Sequence, residues 1–317
     1  MPPTSTGKTQ IVFVVPPQVH LLDITGPVHI FYEAACYGAP VNLVYTNLQT
    51  SQRQIDSSSQ LSLAGMIDYN TLSLQAGDII FVPGLAAELL LDEQFLTHTT
   101  LPFQQWLVQQ HQQQVTICSV CTGAFLLAAA GLLDHRPATT HWKYLDRFTQ
   151  RYPRIQVQHN RLFVRTEGLY TSAGVASGID LALFLLEQQF GSRFAANIAK
   201  EVVVHIRRTN LDPQLSVFMQ YRNHLDDRIH QAQDILAQSL DKKLNIEQLA
   251  AQLHMSGRNL TRLFRKTTNI SISQYINKLR TERAHQLKQE GHTMQSIATV
   301  CGLKSTNQLR QLLKKVS

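Results

Sequence analysis

IEQLAAQLHMSGRNLTRLFRKTTNISISQYINKLRTERAHQLKQ, residues 246–289, reads as a helix, a turn, a second helix, a stop and a longer third helix. Asn245 stands before it as an N-cap, and Ile246, Leu249, Ala250 and Leu253 share one helical face. The pattern breaks at Ser256-Gly257, where Ser256 can cap a helix running to about Lys266. Leu260, Leu263 and Phe264 form the inner face of that helix. Arg258, Thr261, Arg262 and Arg265 fall on its other faces. Two helices joined by a short turn, the second with polar N-terminal residues, are the shape that lays a recognition helix in a major groove. Arginines there read guanine edges or hold phosphates. A three-helix bundle with a solvated basic face fits the same pattern.

Working outward, Thr268-Asn269 is a helix stop and Ser271 or Ser273 a new start. Ile272, Tyr275, Ile276, Leu279, Ala284 and Leu287 form one buried stripe on a helix that ends near Gly291. About 15 helical residues span roughly 22 Å, enough to hold two small bundles at a fixed spacing. MQSIATVCGLKSTNQLRQLLKK, residues 294–315, then repeats the motif. Ile297, Ala298 and Cys301 point in, Gly302 makes the turn, Ser305 caps the last helix, and Leu309, Leu312 and Leu313 close the core. Cys301 reads as a small core residue. Thr306, Asn307, Arg310, Gln311 and Lys314 are left facing outward.

Charge separates the chain into two parts. Asp241 to Ser317 holds 14 Lys and Arg against 4 Asp and Glu, so it carries +10. Residues 1–240 hold 15 against 18 and carry −3, so the whole-chain +7 belongs to the tail. A basic module behind a near-neutral body points to a nucleic-acid binder with a sensing or assembly domain in front. A length of 317 residues suits two domains, and 44% hydrophobic with 16% charged residues suits soluble globular ones. No secretory segment is legible, and the longest apolar run, near Ala124 to Leu133, is too short to span a bilayer. Four cysteines without a paired scaffold pattern fit a reducing cytoplasm.

The first 207 residues alternate short apolar strands with helices. Met1 to Gln10 is polar and reads as disordered. Gly7-Lys8-Thr9 lacks the upstream glycine of a phosphate loop. Strands are expected at 11–15, 41–46, 78–82, 115–120, 155–158, 162–165 and 169–171, with a hairpin or polar excursion over 49–62. Helices are expected at 28–37, with Pro27 in the first turn, and at 103–111, 122–132, 176–190 and 192–207. This is an α/β pattern: a doubly wound, mostly parallel sheet covered on both faces. The expected division is residues 10–207, a linker over 208–229 marked by Pro213 and the stretch from Asn223 to Asp227, and an all-α double helix-turn-helix domain over 230–317, entered by a helix from His230 to Leu240.

VTICSV runs into CTGAFLLAAAGLL, so Cys121 sits where a parallel strand turns into a helix. The positive helix end and its unpaired N–H groups lower a cysteine pKa and favour thiolate. Gly123 keeps the turn tight. His141, in Thr139-Thr140-His141, can polarise the thiol, and Asp23 lies at the same carboxyl edge of the sheet, where open α/β folds hold ligands. Each has a plainer reading: Cys121 as elbow packing, His141 as a structural histidine, Asp23 as an N-cap or Asx-turn. Cys118 and Cys121 form a lone C-x-x-C, weak for zinc and open to redox use, but Cys118 belongs to the strand. No metal and no cofactor are expected.

Two resemblances cover nearly the whole chain. Residues 246–289 with IATVCGL resemble the DNA-binding domain of the AraC/XylS family. The resemblance implies two recognition helices in successive major-groove segments. Arg258, Thr261 and Arg262 match base-reading positions in the first, and Thr306, Asn307, Arg310 and Gln311 in the second, with Arg265 and Lys314 beside them. Leu313 stands where the family has Phe, and the chain stops at Ser317 before the customary Pro-Tyr-Arg-like ending, so the second unit is expected to be the weaker. LLDITGP (21–27), IIFVPG (79–84), ICSVCTGAFLLAAAGLLD (117–134), ATTHW (138–142) and TSAGVASGIDLAL (171–183) resemble the PfpI-like, type 1 glutamine amidotransferase-like superfamily. That implies a nucleophile at Cys121, a histidine at His141, oxyanion-site N–H groups at Gly84 and Thr122, and Asp23 where hydrolytic members have Glu and isonitrile hydratases have Asp. The fusion of the two is the arrangement of GlxA-like transcriptional regulators.

The resemblances imply a homodimeric regulator that binds operator DNA. A small-molecule effector would sit among Asp23, Gly84, Cys121, Thr122 and His141, and RNA polymerase would be a further partner, on the cytoplasmic nucleoid and away from any membrane. The rivals are a cysteine-dependent amidase or hydratase on a DNA-binding tail, and a thiol-based redox sensor at Cys121.

Overall fold

The structure, a computed structural model, describes residues 7–49, 54–159, 161–204, 214, 216–222, 224–242, 244–289 and 291–316. The chain divides into two compact units, Met1–Gln214 and Leu215–Ser317.

In the first unit, β1 (Thr9–Val15), α1 (Leu21–Cys36) and β2 (Val41–Asn47) are followed by the antiparallel pair β3 (Gln54–Asp56) and β4 (Ser62–Ala64). Next come β5 (Ile79–Val82), α2 (Ala87–Leu91), α3 (Leu101–Gln112), β6 (Thr116–Val120) and α4 (Ala124–Ala129). After them run β7 (Pro137–Ala138), α5 (Leu145–Arg151), β8 (Gln156–Val157), β9 (Phe163–Thr166), β10 (Leu169–Ser172), α6 (Ser177–Phe190) and α7 (Ser192–Glu201). The six-stranded sheet runs β2-β1-β5-β6-β10-β9, parallel throughout except for β9 against β10. Its central strands are apolar on both faces, as a sheet covered twice requires. Ile11, Phe13, Val15, Ile79 and Phe81 pack under α1, α6 and α7. Their neighbours Val12, Val14, Ile80 and Val82 pack on the other side with Phe103, Leu107 and Phe125.

Several boundaries differ from the sequence expectation. β1 begins at Thr9, so the polar N-terminal stretch ends sooner than expected, and residues 1–6 lie outside the described set. Helix α1 starts at Leu21, not Val28, and Pro27 is in its interior. Pro27 offers no N–H to the Asp23 carbonyl, but Ile24, Pro27, Ile30, Phe31 and Ala34 are buried, so packing outweighs the lost bond. The helix expected over 122–132 is a tight Cys121–Gly123 turn followed by only Ala124–Ala129, closed by Gly131 at φ +72°. Helix α7 stops at Glu201, and the rest of its expected span from residue 205 onward lies outside the described residues. So do 50–53 of the expected hairpin.

The second unit contains α8 (Val217–Gln220), α9 (Asp227–Gln238), α10 (Ile246–Gln252), α11 (Gly257–Thr268), α12 (Ile272–Gln289), α13 (Met294–Val300) and α14 (Thr306–Val316). The expected linker, 208–229, therefore holds α8 and the start of α9, while 208–213, 215 and 223 lie outside the described residues. Several of these helix starts carry side-chain caps. Asp226 accepts from the N–H groups of Arg228 and Ile229, Asn245 from those of Glu247 and Gln248, and Ser256 from that of Asn259. Ser271 and Gln274 make reciprocal bonds, the Gln274 N–H to Ser271 Oγ and the Ser271 N–H to Gln274 Oε1. Asn269, left-handed at φ +62°, ends α11. Ile229, Leu249, Leu260, Phe264 and Tyr275 centre one core; Ala284, Leu287, Ile297, Cys301 and Leu309 centre a second, smaller one. Helix α12 supplies residues to both. No described helix is long and apolar enough to cross a membrane.

Candidate functional site

The carboxyl edge of the parallel sheet brings the expected pocket residues together. Strand β6 ends at Val120, and Cys121 takes a left-handed φ of +59°. That conformation is costly for a residue with a Cβ and marks a built elbow. Gly123 permits the turn, since a Cβ there would stand 2.1 Å from the Val82 carbonyl oxygen. Cys121 is 2% exposed.

Asp23 lies in the first turn of α1, where its charge suits the helix dipole, and it is neither the cap nor an Asx-turn. Its side chain is fully buried. Oδ1 accepts a hydrogen bond from the Val175 N–H at 3.0 Å, whereas Oδ2 is buried without a hydrogen-bond partner. His20, the residue before α1, places Nδ1 3.5 Å from that Oδ2. Two glycines leave the hollow open. A Cβ on Gly84 would stand 2.3 Å from Asp23 Oδ2 and 2.8 Å from Thr122 Oγ1; one on Gly174 would stand 2.8 Å from His141 Cδ2 and 3.1 Å from Cys121 Sγ. The Thr122 hydroxyl bridges the main chain of Leu85, accepting from its N–H and donating to its carbonyl, both at 3.2 Å. Thr140 Oγ1 donates to the Cys121 carbonyl at 2.9 Å, and Gln214 Nε2 donates to Thr139 Oγ1 and the Thr140 carbonyl.

The electrostatics reverse the expectation of a thiolate. Burial pushes the Cys121 thiol well above its ordinary pKa, and the Asp23 carboxylate pushes it further. Hydrogen bonding from Thr122 at the helix start works the other way and is outweighed. The elbow therefore holds a neutral thiol. His141 is half-buried, and burial lowers its pKa despite the nearby Asp23 charge. Its Nδ1 accepts from the Lys143 N–H at 3.3 Å, so the neutral ring carries its proton on Nε2. Cys118 lies fully buried within β6, and burial drives its thiol well up too; all four cysteines are free.

His20, Gly174, Val175 and Gln214 were not singled out in the sequence. The i, i+3 spacing of His20 and Asp23 is a usable signal only once α1 is known to begin at Leu21. Cys121 completes a donor set with them: a His20 ring nitrogen, an Asp23 carboxylate oxygen and Cys121 Sγ all lie within 4.8 Å of one another.

In the second unit, Arg258, Thr261, Arg262 and Arg265 are exposed along α11, together with Lys266. Asn307, Arg310, Gln311 and Lys314 are exposed on α14, with Thr306 half-buried at its start. Arg258, Arg262, Arg265, Arg310 and Lys314 make no ion pair with a described residue. Thr261 Oγ1 donates to the Gly257 carbonyl at 2.8 Å, which leaves its methyl group and an oxygen lone pair outward.

Residues 9–188 match the DJ-1/PfpI family, and residues 249–317 match a helix-turn-helix domain. The HTH-type transcriptional regulator GbdR of Pseudomonas aeruginosa is 31% identical over 202 residues, 63% of this chain and 55% of GbdR. The match thus spans little more than half of that relative's length. The regulator CdhR of the same organism is 31% identical over 234 residues, 73% of this chain and 67% of CdhR. An isonitrile hydratase of Pseudomonas putida is 36% identical over 184 residues, 57% of this chain and 72% of the hydratase. An AraC family transcriptional regulator from Pseudomonas putida shares the fold over 61% of this chain and 99% of its own, with a TM-score of 0.51 at 17% identity. A ThiJ/PfpI family protein from Pseudomonas syringae does so over 85% and 96%, with a TM-score of 0.52 at 20% identity. The sheet, the elbow and the matched span agree: the chain belongs to the DJ-1/PfpI family and carries a helix-turn-helix domain behind it.

Proposed function

We propose that this chain is a sequence-specific DNA-binding transcriptional regulator rather than an enzyme. The observation that carries the reading is the exposed face of α11 and α14, where Arg258, Arg262, Arg265, Arg310 and Lys314 have no acidic partner among the described residues. Cations left unpaired on helices that follow a tight turn suit phosphates and base edges. Arg258, Thr261, Arg262 and Arg265 would serve one groove segment, and Thr306, Asn307, Arg310, Gln311 and Lys314 the next. The regulators GbdR and CdhR among its relatives support this. The N-terminal unit would pair with a second copy and hold an effector in the hollow of Asp23, Gly84, Cys121, Thr122 and His141. RNA polymerase would be the further partner, on the cytoplasmic nucleoid. The two domains we assign are 10–207 for sensing and 230–317 for DNA.

The test is recovery of genomic DNA fragments by the purified protein, compared with Arg258→Ala/Arg310→Ala. A recurrent sequence lost in the double variant supports the reading. Random fragments recovered equally by both, fading together as salt rises, refute base readout.

A second reading, hydration of a substrate such as an isonitrile, is favoured by two observations: Asp23 and Cys121 both approach Gly84, and the Pseudomonas putida hydratase is a relative. Turnover that disappears in Cys121→Ser while DNA binding persists would establish it. The neutral thiol and its 2% exposure weigh against both that reading and peroxide sensing.

A further inference from the structure

We propose that the hollow beside Cys121 binds a thiophilic divalent cation of the zinc type, ligated by Cys121 Sγ, an Asp23 carboxylate oxygen and His20 Nδ1. This rests on the reading of that hollow as the effector site, and it names the chemical class of the effector.

The first observation is the orphaned carboxylate oxygen. Asp23 spends Oδ1 on the Val175 N–H, while Oδ2 is buried and makes no hydrogen bond. An unsatisfied buried acceptor is costly, more so when charged, so a native fold retains one where something else satisfies it. The neighbouring donors do this poorly: at 3.5 Å His20 Nδ1 is too far for a good hydrogen bond, and the Cys121 thiol, whose contact with the carboxylate helps raise its pKa, is only a weak donor.

That same distance suits a shared metal. Metal–nitrogen and metal–oxygen bonds of roughly 2.0–2.2 Å put two tetrahedral ligands about 3.3–3.5 Å apart. The sulfur, with a bond of roughly 2.3 Å, belongs about 3.5 Å from each of the others. All three donors already lie within 4.8 Å of one another, so Sγ has to close by roughly 1.3 Å at most.

The donor chemistry narrows the ion. One thiolate, one imidazole and one carboxylate suit zinc and its relatives, whereas magnesium and calcium take all-oxygen sets. Binding breaks the Cys121 S–H bond, releases that proton to solvent and forms the sulfur–metal bond. Thiolate and carboxylate then carry two negative charges, which a divalent ion neutralises in a hollow that otherwise disfavours both. His141 is not a ligand, because its Nδ1 lone pair is engaged by the Lys143 N–H and Nε2 bears the proton. Three protein ligands leave a fourth position open. His20, whose side chain is about one-third exposed, gives the ion its way in from solvent.

The experiment is a cobalt titration of the full-length protein, because cobalt reports a thiolate ligand through a near-ultraviolet charge-transfer band. The expected result is a band that saturates at one equivalent, is displaced by zinc, and is lost in Cys121→Ser. Asp23→Asn, which keeps the shape and the Val175 contact, and His20→Ala should each weaken cobalt binding tenfold or more. They serve as independent variants if Cys121→Ser misfolds. A band absent from the wild type overturns the proposal and leaves the effector reading to organic ligands. A band that survives Cys121→Ser but disappears in Cys36→Ser also overturns it, since Cys36 is the exposed thiol. Operator affinity, measured by anisotropy on the genomic fragment selected above, should shift fivefold or more on adding zinc. A Cys121-dependent band with unmoved operator affinity keeps the site and overturns the effector role.

Discussion

Gly302, at φ +65°, lets Arg280 reach the backbone behind it: a Cβ on Gly302 would stand 2.8 Å from Arg280 Nη2 and 2.4 Å from the Leu240 carbonyl oxygen. Arg280 uses that room to donate from Nε to the Leu240 carbonyl and from Nη2 to the Lys242 carbonyl. Gly302→Ala meets both a left-handed φ and a backbone clash, so it should cost about 2–3 kcal/mol. Urea unfolding followed by a probe in the C-terminal unit reads the loss, and an unchanged midpoint would refute the clash.

Tyr275 offers the opposite case. It is fully buried between the rings of Phe264 and Tyr221, and its hydroxyl has no hydrogen-bond partner. Burial pushes its pKa up to about 12. Tyr275→Phe should therefore be neutral or stabilising by up to about 1 kcal/mol, while Tyr275→Ala should cost about 3–5 kcal/mol. A Phe variant as damaged as the Ala one would mean that the hydroxyl is bonded in solution.

On the DNA face, Arg262→Ala should reduce affinity for the selected site by about 1–3 kcal/mol and flatten the preference over random DNA. Lys314→Ala should instead weaken all sequences alike and lower the salt slope by about one. Anisotropy titrations at several salt concentrations separate the two patterns.

Thiol chemistry checks the elbow. At mildly alkaline pH the exposed Cys36 should alkylate first, with Cys121 protected by burial and by the charge of Asp23. Asp23→Asn removes that charge and should speed Cys121 alkylation, as peptide mass spectrometry would show. Faster reaction at Cys121 than at Cys36 in the wild type would contradict the neutral thiol.

The histidines set an acid limit for the first unit. Burial lowers the pKa of His141 and His111 in the folded state. As pH falls through the ordinary histidine value, about 6.5, the unfolded chain takes protons that the folded one refuses. Stability is thus full above that value and is lost as pH falls toward the lowered folded pKa values. Urea midpoints should drop across this window, and less steeply in His141→Asn. Parallel slopes for the two proteins would remove His141 from the account.

Much of this was legible in the chain because it was written in local chemistry. Asn245, Ser256 and Asn269 announce helix ends by side-chain caps and a left-handed stop, and the structure has each of them. Burial of β1 and β5 on both faces was legible from their unbroken apolar runs. Pro27 misled, because its preference for a first turn was overridden by the packing of Ile24, Ile30 and Phe31, and of Gly26, where a Cβ would meet Ile179 at 2.9 Å. With α1 begun too late, His20 and Asp23 did not look like neighbours. The sign of the Cys121 shift was not legible either. It depends on how burial and one carboxylate compare with a short helix start, and that is a tertiary quantity.

Helix α12 has one further consequence. Its first half packs into one small core through Tyr275 and Leu279, and its second half into the other through Ala284 and Leu287. Both bundles are thus mounted on one 18-residue shaft, ~27 Å long, with no joint between them. Inserting one base pair turns a duplex by about 35°, a change of phase that such a shaft has no means to follow. Sites read by this chain should accordingly vary in their bases far more than in the distance between their two halves.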